Sequence, residues 1–127
     1  MLVSPADFVA KAKATIKECT VTEVKNGLGP DTILLDIREP DEYARGYIQG
    51  ACHVPRGMLE FQILELLNKI GVKTNPADAD IVLYCGTGGR SALATKSLDD
   101  MGFHNVRSMD GGIVAWSEAG LPVDMPG

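Results

Sequence analysis

The stretch Ile81-Val82-Leu83-Tyr84-Cys85-Gly86-Thr87-Gly88-Gly89-Arg90-Ser91-Ala92-Leu93-Ala94 decides the fold of this chain. It opens on a short apolar run with the branched side chains of a buried strand. After Arg90, the apolar residues Ala92, Leu93, Ala94, Leu98 and Met101 recur at helical spacing, so a strand gives way to a helix across a glycine-rich loop. Cys85 is thereby placed at the carboxyl end of a strand and beneath the amino end of a helix, the crevice in which open α/β sheets bind ligands. Gly86, Gly88 and Gly89 let successive N–H groups turn toward one centre, which needs backbone angles closed to most side chains. Such a nest, with the helix dipole behind it, favours an anion at the cysteine sulfur. The residues predict a nucleophilic thiolate at Cys85, formed more readily than from a free thiol.

Working outward, Thr32 to Ile37 is a second apolar strand, and Glu39-Pro40-Asp41-Glu42-Tyr43 opens a short acidic helix that Gly46 ends. Ala51 to Val54 gives a brief strand stopped by Pro55. Leu59, Ile63, Leu66, Leu67 and Ile70 mark one face of a helix over Met58 to Ile70, which Gly71 closes. Asn105 to Ser108 reads as a weak strand, Gly111-Gly112 as a turn, and Ile113 to Glu118 as a last helix around Trp116. At the amino end, Ser4 is an N-cap, Pro5 fits the first turn, and Asp7 is the acidic end of a capping box. Phe8, Ala12 and Ile16, with Val9 beside them, form the apolar stripe of that helix. A short strand at Cys19 and a helical turn from Thr22 to Lys25 come next. From Gly120 the chain carries Pro122 and Pro126 and is expected to be extended or frayed. Alternating strands and helices predict one parallel α/β sheet with helices on both faces. The expected organisation is a helical extension over residues 1–15, one domain over 16–123 and a tail over 124–127.

The bulk numbers set outer limits. A chain of 127 residues holds one domain with a proper core. A net charge of −5 without a dense basic run argues against nucleic acid as a partner. The apolar runs are far too short for a membrane span, and Met1 to Thr15 lack the apolar segment of a signal peptide. Cys19, Cys52 and Cys85 are too widely spaced for a disulfide framework or a zinc motif, which points to a reducing cytoplasm. Neither histidine has a metal-ligating neighbour in sequence, so no metal is expected.

Leu35-Asp36-Ile37-Arg38-Glu39-Pro40-Asp41-Glu42-Tyr43, followed by Gly46-Tyr47-Ile48-Gln49-Gly50-Ala51, resembles the first signature of rhodanese domains. Gly111-Gly112-Ile113-Val114-Ala115-Trp116, with Gly120-Leu121-Pro122-Val123, resembles the signature near their carboxyl end, and the cysteine loop lies between. The resemblance runs from about Ile16 to Val123. It implies the rhodanese-like fold, a five-stranded parallel sheet flanked by helices, and sulfur transfer through a Cys85 persulfide. The implied donor is thiosulfate or another persulfide, and the acceptor is cyanide, a small thiol or a protein cysteine. Such chemistry needs neither a metal nor an organic cofactor. Two positions depart from the family pattern: Gly86 stands where many active members carry a basic residue, and Tyr47 replaces a common histidine. The first removes a positive charge from the mouth of the site and bears on thiosulfate, a dianion.

In this reading Cys85 is the catalytic nucleophile, and the N–H groups of Gly86, Thr87, Gly88, Gly89 and Arg90 hold the transferred sulfur. Arg90 has two readings: it binds the anion with its guanidinium fork, or it pairs with Asp36 or Glu42 and braces the loop. The brace is preferred because backbone amides alone can cradle a sulfur. Asp36 and Arg38, at the end of the neighbouring strand, are read as supports for the loop. Cys19 and Cys52 are read as buried thiols, Trp116 as core, and Asp41-Glu42 as a solvated face. Related phosphatases resemble the pattern Cys-x5-Arg, whereas this chain has the tighter Cys-x4-Arg, with Tyr84 where a histidine commonly precedes the cysteine. That makes a phosphatase the weaker enzyme reading. A regulatory or sulfur-carrying module without turnover is the alternative from another class. Gly86 speaks for it and the intact Cys85 against it.

Overall fold

The computed structural model describes residues 1–126. Helix α1 (Pro5–Lys13) starts at Ser4, whose Oγ accepts the Asp7 N–H at 3.1 Å. The reciprocal bond expected of Asp7 is not made, because its side chain is one carbon shorter than the glutamate that completes such a box. Helix α2 (Val21–Lys25) shows the complete form, in which Thr20 and Glu23 exchange two bonds of 3.1 Å.

The strands are β1 (Lys17–Cys19), β2 (Ile33–Asp36), β3 (Cys52–His53), β4 (Ile81–Tyr84) and β5 (Val106–Met109). They form one five-stranded sheet in the order β1-β5-β4-β2-β3, with every pair parallel. All four residues of β2 and of β4 are buried, as expected of strands covered on both faces. The remaining helices are α3 (Pro40–Ala44), α4 (Leu59–Lys69), α5 (Gly89–Met101) and α6 (Gly112–Glu118). On one face, Leu35, Ile81 and Leu83 pack with Leu59, Ile63 and Leu67 of α4 and Leu98 of α5. On the other, Leu34, Val82, Tyr84 and Met109 pack with Val24 of α2 and Trp116 of α6. Helix α1 lies along α5, with Val9 facing Gly89. This is a rhodanese-like α/β fold.

Three expectations about surface and tail change. Phe8, Ile70 and Met101 continue the apolar periodicity of their helices but are 54 %, 44 % and 45 % exposed. Ile70 and Met101 stand at the ends of α4 and α5, and Phe8 lies off the face that α1 buries, where Ala12 is covered and Val9 meets Gly89. Glycines Gly111 and Gly112 are more than a turn, since α6 begins at Gly112. Over residues 121–124 the segment after Gly120 is tied down rather than frayed. Trp116 Nε1 donates to Pro122 O at 2.9 Å, and Tyr47 and Asp124 exchange backbone bonds of 2.8 and 2.7 Å. Those bonds give the tail partners that its two prolines, Pro122 and Pro126, cannot reveal. Among the described residues, no helix is long and apolar enough to cross a membrane.

The topology brings the carboxyl ends of β2 and β4 together with the amino ends of α5 and α6. Cys85 stands at that junction.

Candidate active site

Cys85 directly follows β4 and is 1 % exposed, so its sulfur is approached only through the mouth of the loop that follows. Its Sγ accepts the N–H of Gly88 at 3.1 Å and of Ser91 at 3.3 Å. Gly88 has φ +102°, in the left-handed region that the glycine spacing predicts, and this turns its amide inward. The amides of Gly86, Thr87, Gly89 and Arg90 have no protein acceptor among the described residues, so they are available to a second atom above Sγ. Of the five loop residues singled out from sequence, only Gly88 donates its amide to the cysteine sulfur, and the Arg90 guanidinium lies close enough for Cys85 to raise its pKa.

Ser91 was missed. Its hydroxyl lies 3.5 Å from Cys85 Sγ and 2.8 Å from the hydroxyl of Ser108 on β5, and both serines are fully buried. Ser108 Oγ has no other partner among the described residues, and either hydroxyl can donate in this pair. When Ser108 donates, the Ser91 hydrogen can serve either the sulfur or Gly88 O, 3.3 Å away. The position of Ser91 in the first turn of α5, where amides lack intrahelical acceptors, was the available signal.

Helix α6 fixes the loop from behind. Ile113 N–H donates to Cys85 O at 2.9 Å and Val114 N–H to Gly86 O at 3.0 Å. A peptide carbonyl and its N–H point in opposite directions, so these bonds turn the amides of Gly86 and Thr87 away from α6. Gly112 permits the approach: a Cβ there would sit 2.4 Å from Gly86 O and 2.5 Å from Cys85 O.

Arg90 holds Glu42 by two bonds, Nη1 at 2.7 Å and Nη2 at 2.9 Å. The brace is therefore the geometry adopted, with Glu42 rather than Asp36 as the partner. Glu42 is not merely part of a solvated face, because α3 brings it to the loop. The Arg90 hydrogen bonds hold its carboxyl down to about 2, against burial, which raises it. The same pairing raises the guanidinium pKa of Arg90. Asp36 is fully buried and accepts from Arg38 Nη2 at 2.7 Å and from the Arg38 amide at 3.0 Å. Arg38 also donates to Gly46 O at 2.6 Å and to Glu42 O at 3.2 Å, tying the end of β2 to α3. Burial disfavours the Arg38 charge, but the Asp36 hydrogen bond and carboxylate more than offset it. Neither Asp36 nor Arg38 bonds to Cys85.

Cys19 is buried as expected, and burial pushes its thiol up to about 11. Cys52 is half-buried rather than buried, because β3 is an edge strand. It lies two strands from β4, roughly 10 Å away at the usual strand spacing, beyond the reach of a disulfide to Cys85. Among the described residues, no group of three or more histidine, cysteine or acidic side chains could hold a metal ion.

The rhodanese-like domain model matches residues 20–119. A sulfurtransferase of Allochromatium vinosum is 36 % identical, over 76 % of this chain and 81 % of that protein. Thiosulfate sulfurtransferase 18 of Arabidopsis thaliana is 33 % identical, over 82 % of this chain and 80 % of its own length. Among solved structures, a Rhodopseudomonas palustris protein of unknown function, described as a possible tyrosine phosphatase, superposes with TM-score 0.79 at 33 % identity, covering 98 % of this chain and 96 % of that one. The polysulfide-sulfur transferase homodimer of Wolinella succinogenes superposes with TM-score 0.69 at 32 % identity, covering 94 % and 86 %.

Proposed function

Because the chain belongs to the rhodanese-like sulfurtransferase domain family, we propose that it moves a sulfane sulfur from thiosulfate or a persulfide donor to a thiophilic acceptor through a Cys85 persulfide. The observation that carries this reading is the convergence of the Gly88 and Ser91 amides on Cys85 Sγ, with four further loop amides free above it. The two amides hold the sulfur in place for attack, and the Ser91 hydroxyl can turn its hydrogen toward it. The thiolate attacks the outer sulfur of the donor. The donor S–S bond breaks with its electron pair leaving on sulfite or a thiolate, and a new S–S bond joins that sulfur to Cys85. The free amides then hold the outer sulfur until cyanide, a small thiol or a protein cysteine removes it, regenerating the thiolate.

A phosphatase is disfavoured by the brace, since Glu42 holds Arg90 through both terminal nitrogens and offsets the charge that a phosphate dianion would need. The test is intact mass after thiosulfate treatment of wild type and Cys85→Ala. A gain of one sulfur confined to wild type is expected, followed by thiocyanate turnover when cyanide is added. Loading without turnover would instead indicate a sulfur carrier, and no gain with either donor class would overturn the reading.

A further inference from the structure

The mouth of the site carries one guanidinium, and the protein has cancelled it. Arg90 Nη2 stands 3.1 Å from the point that a Cβ on Gly86 would occupy, so it covers the position left bare by that glycine. After the larger effect of Glu42, Cys85 also raises the Arg90 pKa, by charge and by hydrogen bonding to its side chain, which places the cation against the sulfur. Yet Glu42 engages it through both terminal nitrogens. The other four arginines are equally committed, Arg38 to Asp36, Arg45 to Asp41, Arg56 to Glu60 and Arg107 to Asp80. Every arginine is thus paired with a carboxylate, and at the mouth the Arg90 charge is offset by Glu42. What remains at the loop is a set of amides, which suit one sulfur atom bearing one charge.

Resting on the sulfurtransferase reading, we propose that the Glu42–Arg90 ion pair sets donor selectivity, favouring donors with one negative charge, organic persulfides and thiosulfonates, over the thiosulfate dianion. Both classes follow the same step. Thiosulfate would transfer its outer sulfur and release sulfite; a thiosulfonate would transfer its outer sulfur and release a sulfinate. In each case the charge before and after is equal and no oxidant or reductant is consumed. The two donors differ at the mouth only in the charge on the departing group.

The experiment compares kcat/KM for thiosulfate with that for methanethiosulfonate, an analogue of similar shape with one charge fewer, using cyanide as acceptor. The ratio of the two is independent of the fraction of folded enzyme. Glu42→Gln frees the Arg90 charge and is expected to move the ratio toward thiosulfate by about fivefold at low salt. Arg90→Gln leaves the Glu42 carboxylate facing the mouth and is expected to move it the other way. Both shifts shrink as salt screens the charges. A brace that only supports the loop would lower both donors alike and leave the ratio fixed, which overturns the proposal. A shift away from thiosulfate in Glu42→Gln also overturns it, because Arg90 would then be an anion ligand oriented by Glu42. If wild type takes sulfur from neither donor, the sulfurtransferase reading itself falls and this proposal falls with it. Transfer with an unmoved ratio removes the proposal alone.

Discussion

Replacing Gly112 with alanine should disable the loop from the side opposite the sulfur. The added Cβ would lie 2.4 Å from Gly86 O, 2.5 Å from Cys85 O and 2.6 Å from Gly86 C, all backbone atoms of the cysteine loop. No flexible side chain can yield. Restoring even a 3.0 Å separation needs a displacement of at least ~0.6 Å, which must come from the loop or from α6. Either movement stretches the bonds from Ile113 and Val114 to the two loop carbonyls, now 2.9 and 3.0 Å. The residue also has φ +60°, where alanine costs about 1 kcal/mol more than glycine. With overpacking of about 1–3 kcal/mol, the expected loss of stability is roughly 2–4 kcal/mol. The loss of activity should be larger than that destabilisation explains, because the amides of Gly86 and Thr87 rotate with their carbonyls. A displacement of this order at a reacting centre can lower the rate by about 100-fold. Gly71→Ala is the control, since Gly71 has φ +81° but nothing within 4 Å of its Cβ position. Urea midpoints and the rate of Cys85 persulfide formation, measured by mass, should separate the two variants. If Gly112→Ala matches Gly71→Ala in both measurements, α6 does not hold the loop.

Ser91→Ala should slow persulfide formation and also destabilise the fold by about 1–3 kcal/mol, because it strands the fully buried Ser108 hydroxyl. The double variant with Ser108→Ala should recover part of the urea midpoint but not the rate; recovery of both would reduce Ser91 to a packing residue. At neutral pH, iodoacetamide should leave Cys19 unmodified in the folded protein, since burial raises its thiol to about 11. Peptide mapping that finds Cys19 labelled as fast as in urea would contradict this. Glu42 has a folded-state value near 2, below the ordinary glutamate value of about 4.3, so unfolding takes up a proton and the pairing stabilises only while the carboxylate is charged. That contribution is complete above the unfolded value and is lost as pH falls from about 5 to about 2, roughly 1 kcal/mol after solvent screening. The stability gap between wild type and Glu42→Gln should close over that range, and a gap constant with pH would argue against the ion pair.

The sequence by itself determined the elements and the position of the thiol. Ile81 to Tyr84 has the apolar continuity of a strand covered on both faces, and the glycines after Cys85 announce a loop that needs a left-handed residue, found at Gly88. Those signals are local: each depends on side chains within one turn or a few strand residues, so they are readable along the chain. The supports of the site are not. Glu42 and Arg90 are 48 residues apart and Ser91 and Ser108 are 17 apart. Gly112 meets Cys85 only because the chain crosses from β5 to lay α6 against the loop. An acidic residue in a short helix, a serine in a first helical turn and a glycine pair each have an ordinary local explanation. Their partners are chosen by strand order and helix placement, so it took the tertiary structure to show that the tail is pinned, that Arg90 selects Glu42 over Asp36, and that two buried serines stand beneath the sulfur. Packing decides these matters because a hydrogen bond or an ion pair depends on distance in space, to which sequence separation is no guide.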